Sequence, residues 1–284
     1  MKKLIQGLRE FKSSYFCANQ HLFEQLSHGQ KPRVLFITCS DSRIDPNLLT
    51  QTQPGELFVI RNAGNIVPPY GSTNGGEGAS IEYAIHALNI EHIIVCGHSH
   101  CGAMKGLLKL STLEEEMPLV HAWLTHAEAT RRLIKENYSQ LEGEELLDVT
   151  IAENVLTQIE NLRTYPVVHS RLYQGTLHIY AWIFDIDTGE VMAFDIDRHA
   201  YISPQSLLPE SELDEELLTP LPPGCALPNM TSSTAANVFS NMLSDGNPSP
   251  PSVQPNYPFA ALSTEQADRI YRGSHRKNGK KHSS

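Results

Sequence analysis

RVLFITCSDSR (residues 33–43) and HIIVCGHSHCG (residues 92–102) decide how this chain reads. Each begins with an unbroken apolar run of strand length and ends in a short loop of small and polar residues. A run without polar alternation is what a strand buried on both faces looks like, and it points to a parallel sheet covered by helices. In open α/β sheets, ligands gather outside the carboxyl ends of the strands. Cys39 stands at the end of the first run, and His98 and Cys101 follow the second. Two thiols and an imidazole are donors that tetrahedral zinc prefers. Three protein ligands leave a fourth position open, which usually separates a catalytic zinc from a structural one. An extended loop would turn His100 away from its neighbours, so the expected ligand set is Cys39, His98 and Cys101.

Outward from these loops the chain alternates strands with helices. Apolar residues at helical spacing over 2–28 predict one or two helices, stopped by Gly29 and Pro32. Asp45-Pro46 starts a short helix. Glu56–Arg61 reads as a second strand, 62–78 as a glycine-rich loop, and Ala79–Leu88 as a helix. The third strand covers Ile90–Gly97, and Ala103–Leu110 is helical behind it. Pro118–Tyr138 and Glu144–Leu162 read as two long helices. Thr176–Asp185 and Glu190–Asp195 form a hairpin around Asp187-Thr188-Gly189. The fold class is therefore α/β, a mainly parallel β-sheet with an antiparallel edge, flanked by helices.

The chain has 284 residues and a net charge of -10. That charge argues against a nucleic-acid partner, which calls for a basic face. No apolar run is long enough for a membrane span. MKKLIQGLREFKSSYF lacks the apolar core and cleavage site of a signal peptide, so the cytoplasm is the expected compartment. Five cysteines are too few and too scattered for a disulfide scaffold. Cys96 reads as a small buried hydrophobe, and Cys17 and Cys225 have no ligand-spaced partner.

Texture changes near residue 203. Eleven of the eighteen prolines lie between 204 and 258, and 224–258 has too few periodic apolar residues to offset its ordering entropy. The division is 1–202 as the catalytic domain with a helical N-terminal arm, 203–263 as a Pro/Ser-rich flexible linker, and 264–284 as a short basic tail. TEQADRIYR at 264–272 carries Ile270 and Tyr271 ahead of a basic cluster. On the residues alone this is a partner-binding motif or a solvated terminus.

Asp41 and Arg43 stand two apart in the first metal loop. The carboxylate is placed either to take the fourth zinc position or to pair with the guanidinium and leave that position open. In the second case zinc brings a coordinated water toward ionisation near neutral pH, and Asp41, held by Arg43, is the orienting hydrogen-bond acceptor for the resulting hydroxide. Two thiolates donate charge and make the ion a weaker acid than three imidazoles would. This chemistry suits hydration of a small electrophile. A phosphate loop of the Cys type needs five residues between Cys and Arg, and here there are three. The run GSTNGGEG at 71–78 is not a dinucleotide fingerprint.

CSDSR at 39–43, RNAGN at 61–65 and GHSHCG at 97–102 together resemble the β-class carbonic anhydrases, over about residues 2–200. The resemblance implies reversible hydration of CO2 to bicarbonate and a proton, with one Zn2+ per subunit on Cys39, His98 and Cys101. It implies Asp41 and Arg43 as a catalytic dyad and Gln30 as a substrate-holding residue. It also implies a narrow pocket at Phe58, Ala63, Tyr83 and Gly102, built across a homodimer or a dimer-based higher oligomer by embracing N-terminal helices. HLFEQLSHGQ, EATRRL and the closing RIYRGS are similar to the cyanobacterial carboxysomal branch. That branch implies packaging in the carboxysome, where the enzyme supplies or equilibrates inorganic carbon for Rubisco. The implied partner is a scaffold protein with a γ-carbonic-anhydrase-like domain, reached through the C-terminal tail. The competing reading is a catalytically silent zinc module serving carboxysome assembly.

Overall fold

The two apolar runs become neighbouring strands of one sheet. In the computed structural model, which describes residues 1–73 and 75–207, the strands are β1 (Val34–Cys39), β2 (Leu57–Asn62), β3 (His92–His98), β4 (His178–Phe184), β5 (Val191–Asp195) and β6 (Ala200–Ile202). Their order is β2-β1-β3-β4-β5-β6. The pairs β1–β2, β1–β3 and β3–β4 are parallel, and β4–β5 and β5–β6 are antiparallel. The sheet is thus mainly parallel with an antiparallel edge, as the sequence predicts. β1 and β3 are buried along almost their whole length, which is why neither shows alternation. Strand order reverses around β1, so the crevice between the ends of β1 and β3 is the place where such sheets bind ligands. Cys39 ends β1 and His98 ends β3.

Helices cover both faces. α1 (Lys2–Glu10) continues through a π-helical turn at Phe11–Phe16 and is followed by α2 (Gln20–Ser27). α1 buries none of its residues, while Phe11, Phe16 and Phe23 pack together with ring centroids 4.8–6.4 Å apart. α3 (Pro46–Thr50) starts at Asp45, whose carboxylate accepts from the Leu48 amide at 3.1 Å. α4 (Gly76–Glu82), α5 (Gly102–Leu108), α6 (Leu113–Glu116), α7 (Pro118–Leu124), α8 (Glu128–Asn137), α9 (Gly143–Arg163) and α10 (Pro166–Gln174) complete the set among the described residues.

Four elements differ from expectation, among them α6 (Leu113–Glu116), which falls in the unassigned stretch 111–117. The stretch 118–138 is not one helix, because a 3₁₀ turn at Thr125–Ala127 separates α7 from α8. α10, with Pro166 in its first turn and Gly175 as a left-handed cap, occupies residues to which the sequence reading assigns nothing. β6 adds a third antiparallel strand beyond the expected hairpin. The linker and tail expected beyond residue 207, and Cys225, lie outside the described residues.

α9 is the central support. It is largely buried, and it crosses β3 closely enough that a Cβ at Gly97 would stand 2.8 Å from Val155 Cγ2 and 3.1 Å from Ile151 Cγ2. Only glycine lets this helix lie against the residue before His98. Among the described residues no helix is long and apolar enough to cross a membrane.

Candidate metal centre

Cys39, His98 and Cys101 converge at the β1–β3 crevice, with their donor atoms all within 4.8 Å of one another, and all three are buried. His98 Nδ1 lies 2.9 Å from the Ser99 carbonyl, an acceptor, so the proton sits on Nδ1 and Nε2 carries the lone pair. Nε2 is buried and has no protein partner. A buried nitrogen without a partner costs stability unless something fills that direction. Its lone pair faces two sulfurs, the donor set of zinc, so the residues fit that ion. His100 is not in the cluster. Its backbone is left-handed (φ 55°) and its Nε2 meets Asp187 Oδ2 at 2.6 Å, in agreement with its exclusion as a ligand.

Between the two thiols alone, one proton is shared. The hydrogen bond from Cys101 lowers the Cys39 thiol against the opposing effect of burial, with help from the Gly64 amide. Cys101, facing that thiolate and buried, is pushed far up. A divalent cation replaces the shared proton and lets both sulfurs ionise. Cys96, fully buried, behaves as its sequence context suggests, and burial pushes its thiol up to about 12.

Asp41 pairs with Arg43 in this chain. Arg43 grips it in a fork, donating from Nε to Oδ1 at 2.9 Å and from Nη2 to Oδ2 at 2.7 Å, while the Arg43 amide donates to Oδ1 at 3.0 Å. These bonds hold the Asp41 carboxyl well below the usual carboxylate range. Oδ2 lies 3.9 Å from His98 Nε2. The carboxylate therefore borders the metal position while both its oxygens are engaged by Arg43.

Several supports were not singled out in the sequence. Arg61, at the end of β2, donates to the carbonyls of Cys39 (3.0 Å), Asp41 (2.7 Å) and Ile44 (2.8 Å), and so shapes the whole first metal loop. Ser99 ties the second loop to the β4–β5 turn, donating its amide to Phe184 O and accepting from the Ile186 amide, each at 2.9 Å. Asn154, Gln158 and Asn161 on α9 bond the loop after β2 at Gly64 O, Val67 N and Val67 O. The signal for Arg61 was its place beside Asn62 at a strand end. The α9 amides carry no such signal, because Asn and Gln on a helix read as a solvated face.

The remaining candidates divide. Gly102 opens α5 directly after Cys101, and Ala63 follows β2 beside the centre. Gln30 lies beyond the far end of β1, with about 17 Å of strand between it and Cys39. Phe58 and Tyr83 contact each other, ring centroids 6.1 Å apart. Phe58 stands four residues before the β2 end, about 13 Å from the metal end of the sheet. One chain does not bring these three to its own metal centre.

Residues 34–191 match the family model described as carbonic anhydrase. The carbonic anhydrase of Synechocystis sp. is 54% identical over 285 residues, covering 96% of this chain and 100% of that protein. That of Synechococcus elongatus is 68% identical over 192 residues, 68% of this chain and 71% of its own. Among solved structures, the β-carbonic anhydrase CcaA is 63% identical with a TM-score of 0.72, covering 72% of this chain and 92% of its own. A tetrameric β-carbonic anhydrase of Sordaria macrospora is 29% identical with a TM-score of 0.61 over 68% of this chain and 95% of its own. With its zinc-type donor set at the switch point of the sheet, this chain belongs to the β-class carbonic anhydrases and is a zinc-dependent enzyme of CO2 hydration.

Proposed function

We propose that the reaction runs at the corner bounded by Cys39, His98, Cys101 and Asp41, and that the enzyme works inside the carboxysome. The observation that carries the first part is the buried, unpartnered His98 Nε2 beside two sulfurs, with an ionised carboxylate held 3.9 Å away. Zinc held there by Cys39, His98 and Cys101 would act as a Lewis acid and lower the pKa of a water bound to it. In carbonic anhydrases whose zinc sits on three imidazoles, that water has a pKa of about 7. Asp41 accepts and orients a hydrogen bond at this corner, and Arg43 keeps it ionised and aimed. Arg61 and Ser99 hold the two loops that carry the ligands. Gln30, Phe58 and Tyr83 serve the pocket of a second copy, because their own centre is out of reach.

The test is metal content measured beside stopped-flow CO2 hydration on the purified full chain. Cys39→Ser and His98→Ala lose zinc and activity together. Asp41→Asn keeps zinc and loses about 100-fold or more in rate, the size of a lost positioned hydrogen bond at a reacting centre. Wild-type protein with stoichiometric zinc and a rate no higher than buffer would restore the silent assembly module. Full turnover in Asp41→Asn would remove the dyad role.

The carboxysome reading rests on the sequence after 263 and on the cyanobacterial relatives. The Synechocystis alignment covers 96% of 284 residues, so it reaches well past residue 207. In 264–284 six Lys and Arg face two acids, in a chain of net charge -10. That suits docking of the tail on a scaffold protein with a γ-carbonic-anhydrase-like domain. Deleting 264–284 leaves hydration unchanged and abolishes co-sedimentation with carboxysomes. Packaging of the truncated chain at wild-type level would overturn this reading.

A further inference from the structure

Gly64 joins the metal centre to a residue that the reaction does not otherwise use. Its amide donates to Cys39 Sγ at 3.4 Å. That N–H belongs to the Ala63–Gly64 peptide group, whose carbonyl, Ala63 O, accepts from the indole Nε1 of Trp123 at 2.8 Å. A donor on the carbonyl of an amide polarises that amide and strengthens the bond made by its N–H. The peptide has little freedom to turn. Gly64 has φ 82°, and a Cβ there would stand 2.8 Å from Met104 Cε and 3.0 Å from Ala103 Cβ. The next peptide is fixed as well, since Asn154 Nδ2 donates to Gly64 O at 3.0 Å and Asn154 Oδ1 accepts from Gln158 Nε2 at 2.9 Å.

We propose that Trp123, on α7, is a positioning residue of the metal centre, acting through the Ala63–Gly64 peptide on the sulfur of Cys39. The inference rests on Cys39 being a zinc ligand. A hydrogen bond to a coordinating thiolate withdraws electron density from it, so the sulfur donates less to the metal and the metal remains a stronger Lewis acid. That matters in a site with two thiolates, which weaken the acid they hold. Trp123 is partly buried against the core, its ring edge-on to His126 with centroids 5.6 Å apart. Removing the indole N–H therefore removes one donor and leaves the ring in place.

The test uses the full chain with cobalt(II) in place of zinc, where the sulfur-to-metal charge-transfer band reports thiolate donation directly. Two variants are compared with wild type. Trp123→Phe removes the donor and part of the ring. Replacing Trp123 with β-(3-benzothienyl)alanine keeps the two-ring shape and removes only the N–H. The expected result is a shift of the band to lower energy in both, together with an upward shift in the midpoint of the kcat–pH profile of the zinc forms. A shift in Trp123→Phe alone would mean that ring packing is at work, and the proposal would fall, as it would with no shift in either. A wild-type protein that binds no cobalt through sulfur sinks the ligand assignment itself, and that reading comes before any variant is compared.

Discussion

Asp41 and Asp148 are pushed in opposite directions by their surroundings. The Arg43 fork favours the charged form of Asp41 and holds its carboxyl low. Asp148, in the first turns of α9, is buried, and burial together with Glu144, Asp185 and Asp187 raises its carboxyl to about 6, against the pull of His100. Its ordinary value is 3.8, so the folded chain binds this proton more tightly than the unfolded chain does. That contribution to stability is complete below pH 4 and is lost as pH rises through about 6. Asp148→Asn removes the charge penalty. Its unfolding free energy should exceed that of wild type above pH 6, by a margin on the order of 1–2 kcal/mol, and coincide with it near pH 4, read from denaturant midpoints. A variant equally displaced at both pH values would show that packing and not ionisation governs the site. The residues of the metal centre were legible because their chemistry is rare and their loops are short. Asp148 was not, since beside Glu144 and Glu145 it reads as part of a solvated acidic face.

At the scale of elements, the contact of β3 with α9 decides how His98 is presented. The strands were legible because β1 and β3 are apolar throughout and end in small-residue loops. The role of α9 was not legible, because its buried Asn154 and Gln158 satisfy loop peptides that a sequence does not place beside them. The break between α7 and α8 was hidden for a related reason. Thr125, His126 and Ala127 carry no glycine or proline, and tertiary packing sets the turn. Gly97→Ala tests the contact, because its methyl meets Val155 and Ile151 at less than ordinary distance. The expected loss is about 1–3 kcal/mol, read from the denaturant midpoint, with weaker zinc retention because His98 is the next residue. Gly97→Ala with Val155→Ala should recover part of both losses. If the double variant is merely the sum of the two singles, the close approach is not what constrains position 97.

For the whole molecule, the exposed apolar face of the arm implies a partner. Leu4 (64% exposed), Leu8 (69%), Phe11 (44%) and Tyr15 (40%) lie at helical spacing on one side of an arm that the single chain does not cover. The pocket residues point the same way, since Gln30, Phe58 and Tyr83 stand away from the metal centre of their own chain. A dimer in which each arm embraces the other copy satisfies both, and each site then takes its metal ligands from one copy and Gln30, Phe58 and Tyr83 from the other. Complementation separates this arrangement from a site complete within one chain. Cys39→Ser removes the metal ligand but keeps the donated residues; Gln30→Ala with Phe58→Ala does the reverse. Each variant alone should have little hydration activity. Coexpressed in equal amounts under separate tags, they form mixed dimers with one complete site of two. Mixed dimers make up half of a random population, so activity returns to about a quarter of wild type per subunit. No recovery in purified mixed dimers would mean that each chain serves only its own metal, and the dimer would then need another reason to exist.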